Sequence, residues 1–314
     1  MNILKPKRLR AGDTVGIVSP SAAITPAVKP QLKEGIAFLH KSGFRTKPGR
    51  NHLKVQDGSA GTPEQRAEDI NSMFVDGDVD AIICSQGGDT ANTCIPYIDF
   101  DVMRRNPKIF MGISDITVLL NAFHAQTGLV TFHGNDVMWG FGRKPARYDR
   151  DEFTNRLMNG EIGQMRKNSK WKTVRDGSAE GRLVGGNLRC LLKLAGTPYQ
   201  PDLSNSILFL EAFDITSDAC SYMFSQLRQI GAFDRVRGVL IGYIWGLQSS
   251  SRRRECTQME DILKRTSEDY DFPILKCDDF GHNCPNTVIP VGAKARLFGD
   301  ENGSGLDILE NCVV

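Results

Sequence analysis

The stretch Lys108-Ile109-Phe110-Met111-Gly112-Ile113-Ser114-Asp115-Ile116-Thr117-Val118-Leu119-Leu120 passes from one periodicity to another with no loop between. Its first half is a short apolar run, as in a strand buried on both faces. In its second half Ile116, Leu119, Leu120 and Phe123 fall at i, i+3, i+4 and i+7, the apolar stripe of a helix. A strand running straight into a helix is the repeating unit of a parallel sheet covered by helices.

The alternation extends in both directions. Residues 14–19 are an apolar run stopped by Pro20, and Val28, Leu32, Ile36 and Leu39 follow at helical spacing up to Gly43. Thr62-Pro63-Glu64-Gln65 reads as a helix start, with Thr62 as cap, Pro63 in the first turn and Gln65 returning a bond to the cap. Ile70, Met73 and Phe74 give that helix its apolar face, and residues 79–85 read as the next strand, ending at Gly87-Gly88. Between residues 140 and 180 the period is lost in a segment rich in Arg, Asp, Asn and Lys. Beyond it, helices are expected at 187–194, 217–230 and 255–267, and strands at 206–211, 236–244, 273–275 and 293–298. The expected organisation is an N-terminal domain at 1–140, an inter-domain connection at 141–180 and a C-terminal domain at 181–314. The polar patch at 248–255 reads as a solvated loop.

Composition removes several functions. The 314 residues include 39 Lys+Arg, 37 Asp+Glu and 5 His, for a formal net charge of +2. A binder of nucleic-acid polymers needs a basic surplus to displace counterions, and this chain has none. With 40% hydrophobic and 24% charged residues the chain is in the globular range. No apolar run is long enough to span a membrane. The start, MNILKPKRLRAGD, lacks the apolar centre of a signal peptide, so a cytoplasmic location is expected. Eight scattered cysteines without a Cys-x-x-Cys pair read as reduced apolar fillers.

In open parallel sheets, ligands bind beyond the carboxyl ends of the strands. The residues there are Ser19-Pro20-Ser21, Ser85-Gln86-Gly87-Gly88-Asp89, Ser114-Asp115 and Glu211. Ser114 sits on a tight strand-to-helix turn, where a hydroxyl projects above the sheet and helix-start amides can hold an oxyanion. On local sequence alone the favoured reading of Ser114 is a helix cap. A nucleophilic serine needs a base with an orienting acceptor. His282, in a loop flanked by Gly281 and Pro285, and Glu211, ending the strand Ile207-Leu208-Phe209-Leu210, fit those parts. His133 ends a strand near the site and reads as pocket-lining; His40, His52 and His124 read as surface or structural residues. The rival chemistry is zinc on Cys277, His282 and Cys284, whose spacing matches no usual finger or ribbon. A non-catalytic binding protein using the same cleft is a further alternative. Phosphate loops of the G-x-x-x-x-G-K-[ST] type are absent. The glycines of Gly181-Arg182-Leu183-Val184-Gly185-Gly186-Asn187 fit close backbone packing as well as ligand binding.

At these residues the chain resembles the LD-carboxypeptidase family of serine peptidases, which includes the microcin C self-immunity proteins. The resemblance is carried by Leu9 to Asp13, Ser19-Pro20-Ser21, Gly87-Gly88 and Pro107-Lys108-Ile109-Phe110-Met111-Gly112-Ile113-Ser114-Asp115-Ile116-Thr117. It continues through Thr131-Phe132-His133-Gly134, the 181–188 glycine-rich stretch, Gly196-Thr197-Pro198-Tyr199, Ile207-Leu208-Phe209-Leu210-Glu211 and Gly281-His282 with residues 285–292. It implies an α/β fold, with an N-terminal flavodoxin-like parallel-sheet domain, a smaller C-terminal β-rich domain, and the site at their interface in a homodimer. It implies a Ser-Glu-His triad of Ser114, Glu211 and His282, and an oxyanion hole from the backbone N–H groups of Gly88 and Asp115. No cofactor or metal is implied. The substrate is either a peptidyl or aminoacyl nucleotide or a murein tetrapeptide. Gly87-Gly88-Asp89-Thr90-Ala91-Asn92 resembles the microcin immunity group more than the Gly-Gly-Tyr-Gly of the murein group. Asp89 and Asn92 are therefore expected to select substrate. A nucleotide base needs an aromatic platform, expected at Trp171, with Trp139 read as interface packing.

Overall fold

The computed structural model describes residues 2–248 and 256–314. Of the 248–255 patch only Gln248 falls among them; the rest of that expectation, with the start of the 255–267 helix, lies outside the described residues.

The N-terminal sheet is built from β1 (Thr14–Val18), β2 (Arg45–Pro48), β3 (Ala81–Cys84), β4 (Ile109–Gly112) and β5 (Thr131–His133). These strands are parallel, in the order β5-β4-β3-β1-β2. That is the flavodoxin-like order, with helices packed on both faces. The helices form where the period demanded them: Lys29–Lys41, Pro63–Val75 and Thr117–Thr127. Thr62 and Gln65 make the full capping box at the start of the second.

The second sheet draws on β6 (Gly163–Gln164), β7 (Lys172–Arg175), β8 (Gly177–Asn187), β9 (Ser206–Phe213), β10 (Gly238–Trp245) and β11 (Ile274–Lys276). Next in the chain is β12 (Ile289–Val291), followed by β13 (Lys294–Gly299) and β14 (Ser304–Ile308). The order is β6-β14-β13-β8-β9-β10-β11-β7, eight strands with a parallel centre from β8 to β11. β12 is excluded from it. This strand crosses to the first sheet and pairs antiparallel with β5, Ile289 opposite His133.

Two expectations are corrected here. The 141–180 segment is no simple connection, because it contributes β6 and β7 to opposite edges of the second sheet. The residues after 181 do not stay in one unit, because β12 completes the first sheet. A single hydrophobic core accordingly runs from Val15, Ile83 and Met111 through Phe132 to Leu183, Phe209 and Phe280. A second core lies on the far side of the second sheet, under the helices Ser217–Gln229 and Met259–Thr266.

Candidate active site

The carboxyl ends of β3 and β4 open into a cavity of about 780 Å³, walled on the other side by β9, β10 and the 281–286 loop. Ser114 and His282 both line it. Ser114 follows β4 by two residues and has a φ of 66°, a left-handed conformation that L side chains avoid. Such strain, of order 1–3 kcal/mol, is held only where surrounding structure enforces it. Here the enforcement is visible. A methyl group on Gly87 would lie 2.6 Å from Ser114 Cβ and 2.8 Å from its Oγ, so the serine is pressed against bare backbone. Gly88, at φ 148°, packs on Ser21 and Ala22 in the same way. Gly87 lies against Ser114 and Asp115 follows it in the chain, and neither Gly88 N nor Asp115 N donates to a backbone acceptor among the described residues.

Glu211 is fully buried within β9, which runs two residues past it to Phe213. Its Oε2 accepts a 2.6 Å bond from His282 Nδ1, and its Oε1 a 2.9 Å bond from Asn187 Nδ2. A carboxylate only accepts, so the proton is on Nδ1 and Nε2 is left as the basic nitrogen. Burial alone would lower the His282 pKa; the charge and hydrogen bond of Glu211 override it and hold the imidazole above its ordinary value of 6.5. Burial alone would raise the Glu211 pKa; the charge and hydrogen bond of His282, with help from His133 and Asn187, bring it below its ordinary 4.5. The two directions agree, as a charge-coupled pair requires.

The histidine loop is fixed by Asn286. Its side chain accepts from Gly281 N and donates to the carbonyls of Gly281 and Cys284, and its own N–H donates to Asp149. Asn187 is in register with Glu211 across β8 and β9. Gly185 and Gly186, just before it, lie against Phe209 backbone and Thr117, so close packing explains these glycines.

Asp115 is fully buried and belongs to the framework rather than the wall. Its carboxylate accepts from Ser21 Oγ at 2.6 Å, Ala91 N at 2.7 Å and Lys193 Nζ at 2.6 Å. Lys193 also donates to the Asp89 carbonyl at 2.9 Å. A lysine following β8 thus ties down both segments that carry the free amides beside Ser114. Sequence reading missed Lys193, Asn187 and Asp136, none of which has a local signal.

Asp89 lines the cavity, but Asn92 lies in the 3₁₀ turn Ala91–Tyr97 and does not reach the lining. The two tryptophans exchange parts. Trp171 is buried, with its indole N–H on Asp279 Oδ2 at 2.6 Å, away from the cavity. Trp139 lines the cavity, donates to Gln86 Oε1 at 3.0 Å and is covered by the Arg143 guanidinium, 4.4 Å from the ring centre. A second aromatic group lies opposite: Trp245 stacks on Phe213 at 4.7 Å, and Phe213 contacts the His282 ring at 4.7 Å. His133 is corrected as well. It is wholly buried below the site, its ring edged by Phe209 and Phe280 and without a hydrogen-bond partner. Cys277 is in the core and does not converge with His282 and Cys284. Among the described residues no cluster of three or more His, Cys, Asp or Glu side chains is arranged to hold a metal ion.

Comparison with known proteins gives this geometry its relatives. The model for the LD-carboxypeptidase N-terminal domain matches residues 15–134, and that for the C-terminal domain matches residues 180–297. A probable murein peptide carboxypeptidase of Bacillus subtilis is 33% identical over 295 residues, 93% of this chain and 91% of that protein. The microcin C7 self-immunity protein MccF of Escherichia coli is 30% identical over 325 residues, 94% of this chain and 93% of that one. A solved structure of MccF in complex with glutamyl sulfamoyl guanosine superimposes with a TM-score of 0.92 at 27% identity, covering 99% of this chain and 100% of the other. By fold, by sequence along both domains and by the named activity of its relatives, the chain belongs to the LD-carboxypeptidase family of hydrolases.

Proposed function

We propose that the chain hydrolyses an amide through Ser114, His282 and Glu211. The observation that carries this reading is the buried Glu211–His282 pair, 2.6 Å apart, opening on the cavity that the strained Ser114 also lines. Ser114 Oγ attacks the carbonyl carbon while its proton passes to His282 Nε2. Glu211 keeps Nδ1 protonated and steadies the imidazolium. The N–H groups of Gly88 and Asp115 receive the tetrahedral oxyanion, in most such sites the largest single contribution. The C–N bond then breaks, the amine leaves with the proton from His282, and water activated by the same imidazole releases the acyl group from Ser114.

For the substrate we infer an aminoacyl or peptidyl nucleotide. Its support is the likeness to MccF, whose structures hold aminoacyl sulfamoyl nucleosides, and the aromatic faces of Trp139 and of the Phe213–Trp245 stack on the cavity wall. The second reading, a carboxypeptidase acting on murein tetrapeptide, rests on the Bacillus subtilis relative. The same family likeness carries the expectation of a cytoplasmic homodimer, to be checked by cell fractionation and light scattering. Ser114→Ala is expected to lower kcat by roughly 10⁴–10⁶ with the fold intact; retention of most activity would reject the triad. Parallel hydrolysis of an aminoacyl sulfamoyl adenosine and an L,D-tetrapeptide separates the substrates, and cleavage of the tetrapeptide alone would overturn the nucleotide reading.

A further inference from the structure

Residues 134–138 cross the top of the N-terminal sheet. Gly134 N donates to the carbonyl of Gly112 at 3.1 Å, Val137 N to Cys84 at 3.1 Å and Met138 N to Ser85 at 3.0 Å. The segment therefore leaves β5, passes over the end of β4 and is tied down on β3. Ser114 lies just beyond the end of β4, and Asp136, in the middle of this arch, lines the same cavity.

Asp136 is only 2% exposed, yet it lines the cavity. Its Oδ1 accepts from Trp139 N at 2.6 Å and Gly140 N at 2.9 Å, which shapes the turn before Trp139. Its Oδ2 has no partner among the described residues and is not one of the sealed, unpartnered atoms, so its opening is toward the cavity. Such a carboxylate is costly to bury unless something meets it. Burial pushes its pKa up to about 6, while the nearest positive influences, His282 and Arg143, make no ion pair with it. At neutral pH the cavity wall that includes Ser114 thus also presents a desolvated Asp136 carboxylate oxygen that no cation among the described residues bonds. The other buried acid of the wall, Asp149, is farther along the chain path and holds Asn135 and Asn286 N.

We propose that Asp136 Oδ2 receives a substrate ammonium carried close to the scissile carbonyl, as an unblocked aminoacyl group presents it. This rests on the hydrolase reading and narrows its substrate: an acyl half with a free amine is favoured over one whose amine is acylated or missing. A charge-assisted hydrogen bond of this kind gives roughly 10- to 100-fold in affinity.

The test uses the full-length Ser114→Ala protein, in which binding is read without turnover. Calorimetry compares an aminoacyl sulfamoyl adenosine with its desamino counterpart. The expected result is roughly 10- to 100-fold tighter binding of the amine, and collapse of that preference when Asp136→Asn is added, since the asparagine carbonyl keeps the Trp139 and Gly140 bonds. Equal affinity for the two compounds, absence of binding to both, or a preference that survives Asp136→Asn overturns the proposal. Should the double variant fail to fold, the comparison of the two ligands on Ser114→Ala alone still decides. Hydrolysis by the unmutated chain is scored separately. Turnover without the amine preference sinks only Asp136, whereas the preference without turnover sinks only the hydrolase.

Discussion

Lys193→Met removes a single ammonium that bears on two segments. Asp115 would keep its bonds from Ser21 and Ala91 but lose the one cation that pairs with it among the described residues, within a fully buried setting. Deleting one member of a buried pair costs about 3–5 kcal/mol. The Lys193 side chain is 22% exposed, and water screens what it reaches, so about 2–3 kcal/mol is the appropriate figure. For a chain of this size that lowers Tm by about 3–5 °C. The activity effect is separate. Without Lys193 the Asp89 carbonyl is released, and the neighbouring Gly88 amide loses its fixed position. Misplacement of a transition-state donor by about 1 Å can cost roughly 10² in rate. KM should change little, because Lys193 does not line the cavity. The assay is thermal unfolding alongside steady-state kinetics for Lys193→Met, Asp115→Asn and the double variant. Neutralising Asp115 should recover most of the Tm lost with Lys193, a coupling of at least about 1 kcal/mol. A Tm within 1 °C of the parent, or two strictly additive losses, would refute the reasoning.

Two further expectations come from the same geometry. The acid limb of kcat/KM should lie above pH 6.5, because the base must be neutral and Glu211 raises its pKa. Glu211→Gln should move that limb downward and reduce kcat by roughly 10⁴; an unmoved limb would assign the titration to another group. The folded pKa of His282 is raised, so its pairing with Glu211 stabilises fully below the unfolded value of about 6.5 and is lost as pH rises through the folded one. Gly87→Ala should cut kcat by roughly tenfold or more with a small change in Tm, since its methyl must displace the Ser114 side chain; unimpaired turnover would show that the serine has room to spare.

The alternation of strands and helices was legible because buried parallel strands and amphipathic helices have strong, distinct periods. Glu211 and Ser114 were legible because each interrupts such a pattern, Ser114 just past the end of β4 and Glu211 inside the buried β9. The missed strands lack a period for a physical reason. β2, β6 and β7 are edge strands whose side chains are exposed or half-buried, β12 contains Pro290, which an edge strand tolerates, and the inner strands β8 and β14 carry glycines in place of a regular apolar run. Trp171 and Trp139 were misassigned because a tryptophan buries equally well in a core or a cleft wall. Only the path of residues 134–139 over the sheet, and the bond from Trp171 to Asp279, distinguish them. Asn187 and Lys193 act through register and domain contact, which no local window contains.

The excursion of β12 into the first sheet also sets a schedule for synthesis. The half that carries Ser114 is specified almost entirely by residues before 135, yet its sheet closes only when residues 289–291 arrive. His282 precedes that strand directly, in the same late segment. A chain grown only through Ser114 therefore lacks both the β12 edge of the first sheet and His282, so on the proposed triad it displays its serine before it can use it. A truncation that removes β12 is expected to take both the edge of the first sheet and the placement of the histidine with it.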